Sequence, residues 1–225
     1  MDLTTISIRT TVSIIAIYLI VCGIIPTVLD RMVWRTLKDD ISSWINLLTL
    51  IVINTMFLLA LIRRYKLKVY IFSNITLRGI LLAFACSVLF YFLLDKFLDP
   101  LFDSIFTRSA DEYNKAIHQL QQYPLVSFIR ICLLAPVVEE ILIRGIILDS
   151  LLNKYDIALS LFISTLIFAI LHFNFVQTIS AIICGLILGL LYISTGSLFN
   201  CILAHSLYNA ISYFANISAR NFHST

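Results

Sequence analysis

Charge is scarce in this chain. Asp, Glu, Lys and Arg make up 13% of its 225 residues, against about 25% in a soluble domain. No stretch is long and polar enough to form a second domain. No basic stripe with interleaved aromatics is present, so the sequence points away from nucleic acid. Glycine (6) and proline (4) are few. There is no internal repeat and no pair of Gly/Pro-broken helices, the usual pointers to a transporter. The five cysteines, Cys22, Cys86, Cys132, Cys184 and Cys201, all lie in apolar segments and form no CxxC. They read as small core residues rather than a disulfide framework or a thiolate metal site. HExxH and GxSxG are absent, and so are a Gly-rich serine site and a membrane Asp pair. Those absences exclude the zinc-helix, nucleophile-elbow, intramembrane serine and intramembrane aspartyl peptidases.

What is present is hydrocarbon. Hydrophobic residues make up 60% of the chain, with 16 Phe and 10 Tyr. A spanning helix needs about 20 mostly apolar residues. Candidates fall at 8–28, 43–62, 77–98, 125–148, 157–173, 175–194 and 198–217. The fold class is therefore all-α: a polytopic transmembrane bundle of about seven spans. The apolar run from Thr11 to Val28 is too long for a signal-peptide core and reads as a retained first helix. The chain divides into N-terminal helices and an interfacial loop (1–124) and a core (125–217), within one integrated membrane domain.

The segment from Asp99 to Tyr123 is the longest non-spanning stretch. Within it, 111–122 holds good helix formers, with Tyr113, Ile117 and Leu120 at i, i+4, i+7 on one face. It reads as a short amphipathic interfacial helix, either a plain connector on the membrane surface or an element that shapes substrate entry. Arg63, Arg64, Lys66 and Lys68 form the dense basic run, and the loop that holds it reaches Arg78 with no acid. Such a run marks the cytoplasmic side. Ala181, Gly185 and Gly189 recur at four-residue spacing, a stripe that lets membrane helices pack closely.

Against this background three sets of polar residues stand out. Glu139, Glu140 and Arg144 lie inside the apolar stretch 125–148. Ionised groups at bilayer depth are costly and face cavities or partners. The i, i+4 spacing pairs Glu140 with Arg144 and turns Glu139 to another direction, free to serve as a general base. Pro136, one turn earlier, breaks the backbone ladder. His172 closes the fifth span, four residues after Phe168. His205 and Asn209 share one face of the last span. An imidazole binds metal or moves protons, and an amide donates to an oxyanion. The catalytic groups fall on the last four helices. His118 and His223 read as solvated, and Asn174, Gln177 and Tyr208 as candidate lining of the site.

These elements stand as Glu139-Glu140-x-x-x-Arg144, Phe168-x-x-x-His172 and His205-x-x-x-Asn209. In this order they resemble the CPBP family of intramembrane proteases, whose pattern is EExxxR, FxxxH, then HxxxN or HxxxD. The family includes type II CAAX prenyl endopeptidases and bacterial proteins linked to bacteriocin immunity and peptide maturation. The resemblance covers about residues 125–217. It implies that Glu139 activates water, that His172 shares the proton, and that His205 and Asn209 stabilise the oxyanion. Glu140 and Arg144 would orient the site. The resemblance leaves two forms open: Glu139, His172 and His205 holding a divalent metal such as zinc, or the same residues activating water without one.

The expected activity is peptide-bond hydrolysis within a bacterial cell membrane. The expected substrate is a small peptide or a lipid-anchored or membrane-anchored protein precursor, in maturation or bacteriocin self-immunity. Two other classes stand beside it: a non-catalytic immunity or binding protein, and a proton-coupled transporter.

Overall fold

The computed structural model describes residues 6–37, 39–120, 122–172 and 174–223. Among the described residues there is no strand. Four helices among the described residues are long and apolar enough to cross a bilayer by length and composition. They are α1 (Ile8–Met32), α2 (residues 39–65), α3 (Leu77–Ile105) and, later in the chain, α7 (Phe175–Thr195). Between them lie α4 (Thr107–Leu120), α5 (124–152) and α6 (Ile157–Ile170), and α8 (Leu198–His223) follows. Helices therefore occupy all seven expected spans and the amphipathic segment. The span count itself rests on less, because α5 carries five charged residues, α6 is short, and α8 carries Asn200, His205 and Asn209.

Side-chain caps mark several helix starts. Ser7, Thr76, Asp156 and Asn174 each accept a backbone N–H from the first turn, satisfying donors that have no partner inside the helix. Gly196, at φ 60°, ends α7 in the left-handed conformation that glycine adopts without cost.

Three prolines sit inside helices, and each follows a stretch of wider, π-type turns. Ile25 N–H reaches Ile20 O, Asp99 N–H reaches Leu94 O, and Ala135 N–H reaches Arg130 O. Pro26, Pro100 and Pro136 come next in each case. A proline ring collides with the carbonyl four residues back, and a π-turn moves that carbonyl aside. This corrects one expectation. The third helix does not stop near residue 98 but continues through Pro100 to Ile105, carrying Asp95, Asp99 and Asp103 along one face.

α5 is the centre of the bundle. Leu142, Ile143, Ile146, Ile147, Leu148 and Leu151 are all fully buried, as expected of a helix apolar on every side. α2, α6, α7 and α8 pack around it, and Ile14, Ile15, Leu58 and Leu61 of the first two helices join the same core. The small-residue stripe of α7 seats against α6. Gly189 meets Leu161, and Gly185 meets Phe168 and Thr165, with no room for a side chain. All five cysteines are free. The outer surface shows Val12, Ile20, Val52, Phe84, Phe162 and Leu190, an apolar face suited to lipid.

Candidate active site

Glu140 and Arg144 are completely buried and paired, Nη1 to Oε1 at 2.7 Å. Arg144 Nη2 also donates to the Gly185 carbonyl at 3.0 Å. The guanidinium carbon lies 4.5 Å from the centre of the Phe168 ring, a cation–π contact strengthened by the absence of water. The rings of His172 and His205 meet the same phenyl group edge-on, at 5.1 and 5.8 Å. Phe168 thus touches three of the candidate residues. The sequence pattern marked it only as the residue four before His172.

Glu140 Oε1 accepts a second bond, from His205 Nδ1 at 2.9 Å. A carboxylate held by a guanidinium can only accept, so Nδ1 carries the hydrogen. The chemistry of His205 then runs through Nε2, which lies 4.0 Å from Glu139 Oε2. That separation suits a bridging water better than a direct bond. His172 stands just past the end of α6, where its Nδ1 faces the Phe168 carbonyl at 3.0 Å. A carbonyl only accepts, so Nε2 is again the free nitrogen.

Glu139 points elsewhere than Glu140, as the rotation between helix neighbours requires. Its side chain is 22% exposed. With His172, His205 and Asn209 it lines one cavity of about 520 Å³. Asn209 Nδ2 donates one hydrogen to the Ile131 carbonyl at 2.9 Å, leaving the other hydrogen of the amide. All six expected residues therefore gather at one place: four at the cavity wall, with Glu140 and Arg144 buried behind it.

The cavity has further walls. Asp95, Asp99 and Asp103 line it from α3. Asp95 accepts from Tyr208 at 2.8 Å, and Asp99 accepts from Ser180 at 2.6 Å. Tyr113, Asn114 and Ile117 of α4 line it as well, so α4 is a roof over the site rather than a plain connector. Burial, with Asp99 and Asp95 nearby, pushes the Tyr113 phenol up to about 12. Ser109 Oγ donates to Asn174 Oδ1 at 2.9 Å and Asn174 Nδ2 to the Ser109 carbonyl at 2.7 Å, tying the roof to the start of α7. Gln177 and Tyr208 line the cavity as expected, while Asn174 serves as that tie. His118 is exposed, and the His223 side chain lies outside the described residues.

A metal needs its donors closer together. Among the described residues, no group of three His, Cys, Asp or Glu side chains is clustered tightly enough to hold an ion. As placed, Glu139, His172 and His205 do not form such a set.

The fold is thus an all-helical bundle with helices of membrane-spanning length around a cavity lined by carboxylates and imidazoles. Residues 121–211 match the family model described as Rce1-like, type II CAAX prenyl endopeptidase. This segment is similar to the CAAX-type intramembrane proteases, and it holds every one of the candidate residues. No curated protein matches the chain. No solved structure matches it either.

Proposed function

We propose that the protein is an intramembrane endopeptidase in which Glu139 activates water directly. One observation carries this reading: Glu139, His172, His205 and Asn209 face a single cavity, while Arg144 fixes Glu140 and Glu140 fixes His205. Glu139 takes a proton from a water as the water oxygen attacks the peptide carbon. His172, through its free Nε2, shares that proton. The carbonyl oxygen becomes an oxyanion, received by the second hydrogen of the Asn209 amide and, when Nε2 carries a hydrogen, by His205. Glu139 then returns the proton to the leaving nitrogen, the C–N bond breaks, and a carboxylic acid and an amine are released, the acid passing its proton to the amine to leave carboxylate and ammonium. Donors fixed in a dry cavity are worth more than the same donors in water.

The substrate in this reading is a small peptide or a membrane-anchored precursor. The lipid-facing bundle and the roofed cavity support it: a segment held at the bilayer reaches the cavity without leaving the membrane. Peptide maturation or bacteriocin self-immunity would use such a reaction. The test is cleavage of membrane-anchored and lipidated peptides by the protein in lipid, comparing wild type with Glu139→Gln. Loss of the base lowers the rate about 100-fold or more. Equal cleavage by both proteins would sink the assignment of Glu139.

A further inference from the structure

We propose that the segment 63–78 is a binding surface for the phosphate headgroups of anionic membrane lipids. Arg63 and Arg64 close α2, Lys66 and Lys68 follow it, and Arg78 lies in the first turn of α3; all five are exposed. No acidic residue occurs between 63 and 78. None of the five makes an ion pair among the described residues. Tyr70, Phe72 and Leu77 stand out beside them, 64%, 75% and 74% exposed. Cations mixed with exposed aromatic and aliphatic side chains, at the ends of two membrane-length helices, match the layer where headgroups meet hydrocarbon.

The surface is built rather than loose. Lys66 adopts φ 51° and turns the chain out of α2, with Leu67 N–H bonded to Ile62 O at 3.0 Å. The next residues alternate, as an extended segment must. Leu67 and Val69 pack against the core, while Lys66, Lys68 and Tyr70 face out. Asn74 pins the far end through its amide, which donates to the Gly196 carbonyl at 3.0 Å. A strap fixed at both ends loses little freedom when it binds, which raises affinity. Val69 lies against the bare Cα of Gly145, where a side chain would come within 3.2 Å of Val69 and 2.9 Å of Leu198. The strap thus braces α5 one residue beyond Arg144.

A free phosphate offers the same charge, but it has no use for Tyr70, Phe72 and Leu77. The experiment separates the two. Full-length protein in neutral detergent is titrated with phosphatidylglycerol, phosphatidylcholine or inorganic phosphate, and bound molecules are counted by native mass spectrometry. Phosphatidylglycerol should bind roughly tenfold or more tighter than phosphatidylcholine, and less so as salt rises. Lys66→Gln with Lys68→Gln should weaken phosphatidylglycerol roughly 25-fold, at about fivefold per cation. Retained phosphatidylcholine binding in that variant shows that it is folded. Arg108→Gln, a cation elsewhere that pairs with Glu112, should change nothing. Equal retention of the two lipids, an unaffected Lys66/Lys68 variant, or full competition by inorganic phosphate would each overturn the proposal. None of these readouts depends on peptide cleavage.

Discussion

The amide of Asn209 caps the carbonyl of Ile131 at 2.9 Å, where α5 has lost a donor. The π-turn sends Ala135 N–H to Arg130 O, and Pro136, next in line, has no N–H to give. The last helix therefore closes the break that precedes Glu139. Asn209→Ala leaves that carbonyl without its partner, at a cost of about 1–3 kcal/mol. Pro136→Ala restores a backbone donor, so in the Asn209→Ala background it should recover much of the lost stability. Apparent unfolding midpoints of the two single variants and the double variant in lipid check this. Strictly additive effects would show that the two positions are not coupled.

Glu139 and Glu140 should respond oppositely to the same change. Glu140→Gln strands a buried guanidinium and removes the acceptor that orients His205, so it should destabilise by about 3–5 kcal/mol. Glu139→Gln alters a cavity-facing group and should leave the midpoint nearly unchanged while cleavage is lost. Yield and melting of the two variants, prepared side by side, separate a positioning carboxylate from a reacting one.

Phe168 is the hub on which Arg144, His172 and His205 rest. Phe168→Ala opens a buried cavity and removes the cation–π contact, an expected loss of about 3–5 kcal/mol. Phe168→Leu keeps most of the volume and should cost less than half of that. A leucine variant as unstable as the alanine one would mean that the ring contacts, not the volume, dominate.

Tyr208→Phe deletes the hydrogen bond to Asp95 and little else, because Phe90 still packs on the ring. About 1 kcal/mol of stability should go. Because Tyr208 lies on the helix that carries His205 and Asn209, turnover should fall severalfold with little change in KM. A change in KM alone would place Tyr208 in substrate binding instead.

The three polar motifs were legible because charge and imidazole are so rare in this chain that each occurrence needs a reason. The Glu140–Arg144 pair follows from helix spacing alone. Four features were not legible. The π-turns at 91–98 and 129–134 break the 3.6-residue period on which the helix reading depends. A 3.6-residue reading therefore ends the third helix too early and hides Asp95 and Asp99 as cavity wall. The roof role of Tyr113 and Ile117 is tertiary, set by the Ser109–Asn174 bonds across 65 residues. The second partner of Arg144 is a backbone carbonyl, that of Gly185, on a helix distant in sequence. No periodicity signals a contact of that kind.

The most direct test of the central claim is mass spectrometry of membrane-anchored and lipidated peptides incubated with purified protein in lipid. Wild type runs beside Glu139→Gln and His205→Ala, each with and without chelator. The account predicts new peptide fragments from wild type only, undiminished by chelator, since the side chains at the cavity are not spaced to share an ion. Fragments that persist in Glu139→Gln would contradict it, as would an intact, folded wild-type protein that cleaves nothing across the panel.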